Sequence, residues 1–327
     1  MLKGIEALNR VMITGSRGQD GTLLRELLIR QGVVVHGFVR PDVTQSIEKS
    51  TYLDKSNYQE FRVDLSNLEY CVEAVGSLRP DAIFHLAAEH APSHVMAGPD
   101  WNSKKSLMHK THVTITENFA KSILKVNAEC QLIVAGSSRM YQAKEALLRV
   151  SERTSVSPID YYGATKVAAW EILRKYRNQY GLRMKMAILF NHESKLRRAG
   201  FLFNDIATQI SAYLAGKQRC LFLRNPEFSG DWHSAQDTVR GLQLMAENPE
   251  IDDLVLASGS IVSVRQLIEE YFSEFQTKPN PTIVTTGDTR DSGKRFDLVG
   301  DTSLAERLGW YRSFTLSQVL HELVTKA

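Results

Sequence analysis

Apolar and polar positions alternate along the first half of the chain in two periods. A short apolar run, Arg10–Thr14 (RVMIT), gives way to a glycine-spaced turn and then to residues 23–31, where apolar side chains recur at helical spacing. Gly32 closes that helix, and residues 33–39 (VVVHGFV) predict a second strand. Residues 61–63 predict a third, ending at Asp64, and Leu68–Leu78 an amphipathic helix that stops at Arg79-Pro80. Residues 82–86 (AIFHL) predict a fourth strand, 111–124 a helix and Gln131–Ala135 (QLIVA) a fifth strand. Residues 162–181 predict a long helix and Met184–Leu189 (MKMAIL) a sixth strand. Strands exchanging with helices in this order predict an α/β fold, a doubly wound parallel sheet of the Rossmann type.

After residue 190 the loops lengthen, and the helices 203–215, Val264–Phe275 and 316–325 come with fewer strands. This predicts a smaller α/β substrate lobe made of returning segments. The expected division is 1–188 plus 227–258 for the dinucleotide-binding domain and 189–226 plus 259–327 for the substrate-binding lobe.

Composition narrows the classes. The 327 residues carry 40 Lys+Arg against 37 Asp+Glu, a net charge of +3, which gives no dense basic face for nucleic acid. No apolar run approaches the length that crosses a bilayer, so no membrane partner is expected. Cys71, Cys130 and Cys220 are odd in number and widely spaced, as expected of reduced thiols in the cytoplasm. His85, His90, His94, His109 and His112 fit no common zinc spacing, and no metal is expected.

The first candidate chemistry is the turn Thr14-Gly15-Ser16-Arg17-Gly18-Gln19-Asp20-Gly21. Between a strand and a helix, Gly15 permits a tight turn, Gly18 lets backbone amides approach a pyrophosphate, and Gly21 lets helix pack on strand. At the end of the second strand, where an acid favours NAD, stands Arg40; with Arg17 it points to NADP, with NAD as the alternative. Asp64 has two readings, acceptor for the adenine amino group or cap for the following helix.

The second is Tyr162-Gly163-Ala164-Thr165-Lys166 at a helix start. Residues four apart share a face, and an ammonium beside a phenol eases loss of its proton. Ser137 and Ser138 follow the fifth strand and can donate to the same substrate oxygen. Serine, tyrosine and lysine together describe a proton relay for hydride transfer at a sugar or alcohol carbon.

With these segments, the chain resembles an extended short-chain dehydrogenase/reductase acting on nucleotide-activated sugars, of the GDP-mannose 4,6-dehydratase type. The likeness runs through ITGSRGQDGTLL (13–24), VHGFVR (35–40), LAA (86–88), YGATK (162–166) and ILFNHES (188–194). It continues through GDW (230–232) with Asp237, SVR (263–265) and GD…LGW (300–310). The resemblance implies that Leu86, Ala87 and Ala88 line the cofactor and that His192 lies at its nicotinamide end. It also implies that Asn191, Arg197, Arg224 and Arg265 hold a sugar diphosphate, GDP-linked, and that the chain pairs as a homodimer or homotetramer. In that family hydride leaves C4, a glutamate takes the C5 proton, water leaves C6 and hydride returns there.

This chain departs at positions that matter. The family's glutamate is Arg139, its arginine before Asp-Trp is Gly230, a second cofactor-side arginine is Pro41, and Gln142 replaces a glycine. A guanidinium cannot serve as the C5 base, but can bind a phosphate or carboxylate in two parallel hydrogen bonds. Glu89 and Glu145 are the candidate replacements. The sequence therefore leaves open a dehydratase, a 4-keto-sugar reductase or epimerase, and a non-catalytic cofactor-binding relative.

Overall fold

The computed structural model describes residues 7–41, 57–89, 100–143, 147–197, 200–275, 279–287 and 297–326. The chain divides into two compact units. The first comprises Met1–Tyr141, Thr154–Leu189 and Val239–Leu254, and the second Gln142–Arg153, Phe190–Thr238 and Val255–Ala327. Segments 142–153, 227–238 and 255–258, placed with the first by the sequence pattern, thus go with the second.

A seven-stranded sheet organises the first unit, and six of its strands lie wholly within that unit. Strands β1 (Arg10–Thr14), β2 (Val34–Val39), β3 (Tyr58–Arg62), β4 (Ala82–His85) and β5 (Gln131–Ala135) are joined by Met184–Leu189 and Asp253–Leu256. Their spatial order is Asp253–Leu256, Met184–Leu189, β5, β4, β1, β2, β3, with parallel pairing. Every residue of β4, β5 and Met184–Leu189 is buried, as in strands covered on both faces. Lys185 is the charged exception, and its ammonium donates to the Met245 and Asn248 carbonyls at 2.7 and 2.8 Å, at the end of helix Ala235–Glu247. The order reverses between β1 and β4, and the crevice at their carboxyl ends is where such sheets bind ligands.

The helices differ from the expected ones in instructive ways. Helix α1 (Gln19–Arg30) starts at Gln19 rather than residue 23, because its first turn is polar and glycine-bearing and shows no apolar period. Strand β3 begins at Tyr58, ahead of the expected 61–63; the buried Glu60 hid its first half. Helix α2 (Leu68–Leu78) is capped by the Asn67 side chain, which accepts from the Glu69 amide at 2.9 Å. The expected helix 111–124 is a continuous winding of α3 (Trp101–His109), a π turn (Lys110–Thr114) and α4 (Ile115–Val126). The polar sequence of α3, with Met108 its buried residue, carried no period to read. Helix α5 (Tyr161–Tyr180) is capped by Asp160, whose carboxylate accepts from the Gly163 amide, and closes at Gly181 with φ +65°.

The second unit packs helices Leu202–Leu214, Val264–Phe275 and Leu316–Lys326 around Phe203, Ile210, Trp232, Leu267, Tyr271 and Leu320. It holds more strands than its pattern suggested. Asn191–Glu193 pairs with Trp232–Ser234, Cys220–Leu223 with Thr282–Thr285, and Leu148–Val150 with Leu298–Gly300, each too short to show alternation. Buried Asp231 accepts from the Ser258, Gly259 and Gly300 amides at 2.6, 3.1 and 2.9 Å and ties three segments together.

Candidate functional site

The glycine turn lies between β1 and α1 in the first unit. Gly15 adopts φ +69° and its amide donates to the Phe38 carbonyl at 2.9 Å; a Cβ there would stand 2.9 Å from Ala87 Cα. A Cβ at Gly21 would fall on the Gly15 carbonyl oxygen and 2.8 Å from Ser16 Cα. At Gly18 a Cβ would meet Gly15 O at 3.1 Å and otherwise project into open space. Gly18 heads α1 without a side-chain cap. The Thr14 hydroxyl accepts from the Ala87 amide at 3.1 Å and lies 2.7 Å from His85 Nδ1. His85 Nε2 faces the Thr111 carbonyl at 2.9 Å, so Nε2 carries the hydrogen and Nδ1 accepts. Burial, then the Lys166 charge, holds this imidazole down to about 3, and it stays neutral. Among the described residues no group of three His, Cys, Asp or Glu could hold a metal ion; His90 and His94 lie outside them.

Of the two arginines proposed for a 2′-phosphate, Arg17 is held by Glu60 of β3, Nε to Oε2 at 3.0 Å and Nη2 to Oε1 at 2.5 Å. Arg40, at the end of β2, is 65% exposed and faces the Glu89 carboxylate at 3.4 Å. Asp64 accepts from the Ser66 amide and hydroxyl and pairs with Lys110 at 3.0 Å. These donors hold its carboxyl below the usual range although burial opposes them. Of the two readings of Asp64, the helix cap is the one to correct, since Asn67 fills that place. Leu86, Ala87 and Ala88 follow β4 beside the turn, Leu86 lying just past the strand rather than in it.

Tyr162 and Lys166 share one face of the first turns of α5. Lys166 is buried, its Nζ donates to the Ala135 carbonyl at the end of β5 at 2.8 Å, and it lies 5.5 Å from the Tyr162 ring centre. Burial pushes the ammonium down to about 7. The second support of the tyrosine is His112, from the π turn, for which the sequence offers no role beyond the absent zinc spacing. Its ring packs edge-on at 5.2 Å from the Tyr162 ring, Nδ1 lies 2.8 Å from Thr165 Oγ1, and Nε2 accepts from the Glu89 amide at 3.2 Å. Thr165 in turn donates to the Tyr162 carbonyl at 2.8 Å. Thr165 is visible inside YGATK, whereas nothing in the sequence gives the register of a π turn.

Ser137 and Ser138 open the short 3₁₀ turn after β5, and Ser137 Oγ accepts from the Arg139 amide at 3.2 Å. Arg139, expected to meet a substrate phosphate or carboxylate, has a partner within the chain: its guanidinium pairs with Asp160, the cap of α5. Glu145 lies outside the described residues.

The remaining expected residues lie in the second unit. Asn191 is exposed; His192 follows it, with Nδ1 2.7 Å from the Phe190 carbonyl and its ring 5.8 Å from His233. Arg197 pairs with Glu193 at 3.1 Å and stacks 4.0 Å over Phe201. Arg224, exposed, and Arg265 flank one turn: Arg265 donates its amide to the Pro226 carbonyl at 2.9 Å and its Nε to Glu227 at 2.7 Å.

With this geometry in hand, the sequence pattern of the GDP-mannose 4,6 dehydratase family matches residues 12–323. The chain belongs to that family. Human GDP-mannose 4,6 dehydratase is 29% identical over 311 residues, covering 93% of this chain and 81% of that one. Two solved structures share the fold at lower identity. dTDP-glucose 4,6-dehydratase from Bacillus anthracis, in complex with NAD, has a TM-score of 0.76 at 17% identity, covering 97% and 96% of the two chains. RMD from Pseudomonas aeruginosa, complexed with NADPH, has 0.74 at 20%, covering 97% and 98%.

The family's Rossmann fold implies an NAD(P) cofactor, and the residues present fit one. The open face at Gly18, the uncapped start of α1 and the close Gly15–Ala87 approach form a cradle that side chains would fill. Among the described residues, no helix is long and apolar enough to cross a membrane.

Proposed function

We propose that this chain is an NAD(P)-dependent enzyme of a GDP-linked sugar and that it acts as a 4-keto-sugar reductase. The observation that carries the reading is the pairing of Tyr162 with buried Lys166 where β5 ends, in the unit that holds the glycine turn. A bound NAD(P)H would supply the hydride for the carbonyl carbon. The Tyr162 hydroxyl gives its proton to the oxygen, and the Ser137 or Ser138 hydroxyl orients that oxygen by a hydrogen bond. Lys166 stands beside the phenol and favours its deprotonated form after transfer. Arg40, exposed where β2 ends, is the guanidinium that meets a 2′-phosphate and supports NADP(H) as the cofactor.

Arg139 separates reduction from dehydration. It cannot take a C5 proton, and the carboxylate nearest to it, Asp160, already serves its guanidinium and the Gly163 amide. The 4,6-dehydratase is the second reading, favoured by family membership, and needs another carboxylate; Glu89 is the described candidate, with its side chain paired to Arg40. Purified protein is incubated with GDP-mannose and, separately, with NADPH and a GDP-linked 4-keto-6-deoxy sugar. Oxidation of NADPH in the second mixture without alkali-absorbing product in the first supports the reductase. The reverse pattern overturns it.

A further inference from the structure

Both arginines offered to a 2′-phosphate are met by carboxylates of this chain, and one of these carboxylates is built into the sheet. Glu60 is 3% exposed and sits opposite Gly37 in the β2–β3 register. It accepts from Arg17 twice and from the Tyr58 hydroxyl at 3.1 Å. The place is tight: a Cβ at Gly37 would stand 2.5 Å from the Tyr58 oxygen and 2.7 Å from Ser16 Oγ. Tyr58 is itself covered by the Arg25 guanidinium, 4.8 Å from its ring centre. Pulling Arg17 away would leave a buried carboxylate with the neutral Tyr58 hydroxyl as its donor, which is unfavourable.

We infer that Glu60 sets the dinucleotide preference of this site: by holding the Arg17 guanidinium it withholds that side chain from a 2′-phosphate and leaves the task to Arg40. This rests on the dinucleotide reading above and adds a specificity-determining residue on β3. An acid that reads the ribose directly belongs at the end of β2; Glu60 acts through an arginine instead.

The test is equilibrium binding of NADH and NADPH to the full chain, followed by fluorescence, with no sugar present. Glu60→Gln keeps the shape and removes the charge. It is expected to raise NADPH affinity relative to NADH by about tenfold, the worth of one charge-assisted hydrogen bond. Arg17→Gln, whose amide still donates to Glu60, is expected to leave the ratio within about twofold of the parent, and to cancel the gain when combined with Glu60→Gln. A folded Glu60→Gln chain with an unmoved ratio overturns the inference, as does a gain that survives in the double variant. A tenfold loss of NADPH affinity in Arg17→Gln alone also overturns it, and needs no folded Glu60 variant. A parent chain that binds neither cofactor sinks the dinucleotide reading as well. Binding of both with no reductase turnover sinks the reductase reading and leaves this inference standing.

Discussion

Arg139 reaches across 21 residues to Asp160, and the carboxylate that receives it also caps the helix carrying Tyr162 by accepting the Gly163 amide at 2.8 Å. The Arg139 carbonyl accepts from the Ile159 amide at 3.1 Å, and a Cβ on Gly163 would fall on that carbonyl oxygen. The turn after β5 and the start of α5 are therefore held together by residue 139 from both its backbone and its side chain. A glutamate here would stand carboxylate against carboxylate.

Restoring the family's residue should harm this chain. Arg139→Glu is expected to cost about 1–3 kcal/mol through the lost pair and the like charge. It should not create dehydration of GDP-mannose. Urea unfolding and an assay for the 4-keto product check the two halves. A variant as stable as the parent, or one that makes the product, contradicts the role given to Asp160.

Tyr162→Phe removes the hydroxyl proposed to give the proton and keeps the ring against His112 and Lys166. Turnover should fall by about 10²–10⁴-fold. Cofactor affinity should stay within about twofold, because the hydroxyl donates to the sugar oxygen. Steady-state rates and NADPH fluorescence separate these; equal losses in both would mean that the tyrosine holds cofactor rather than moving a proton.

Lys166 links the site to pH. Burial lowers its pKa to about 7 from 10.5, so above pH 7 the folded chain sheds a proton that the unfolded chain keeps. Its contribution to stability is complete above the unfolded value and is lost as pH falls toward 7. Between pH 7 and 8, where the unfolded cysteines are still mostly protonated, stability should rise by about 1 kcal/mol from this group. Lys166→Met should flatten that slope in unfolding curves taken across the window. An equally steep slope in the variant would assign it elsewhere.

Gly21→Ala places a methyl group against the Gly15 carbonyl oxygen and Ser16 Cα, both backbone atoms of the turn. The turn must shift, at a cost of about 1–3 kcal/mol. Binding of NADH and NADPH should weaken together, at least about tenfold, since the change reaches the shared pyrophosphate cradle. Calorimetric titration with either cofactor decides it; a variant that discriminates between the two would move the effect to the ribose end.

The sequence was most legible where one period served one purpose. β5 and Met184–Leu189 are fully buried strands and read as near-continuous apolar runs, interrupted by Gln131 and Lys185. The glycine turn and Tyr162-x-x-x-Lys166 were readable because backbone approach and helical spacing demand those residues at those intervals. Glu60 was not, since a buried charge in an edge strand breaks the alternation that betrays the strand. The charges of Arg17 and Arg139 are visible in the sequence, but the carboxylates folded against them, Glu60 and Asp160, are not. Asp160 did leave a signal, an acid just ahead of an α-helix, and capping chemistry could have named it.

The sheet is finished by a latecomer. Met184–Leu189 is flanked on one side by β5 and on the other by Asp253–Leu256, which is synthesised some sixty residues afterwards. Until that strand leaves the ribosome, an edge that is apolar but for Lys185, with unpaired amides and carbonyls, stands open to any neighbour. A chain interrupted between these two strands would carry the whole glycine turn and the tyrosine–lysine pair, and would still be a template for aggregation.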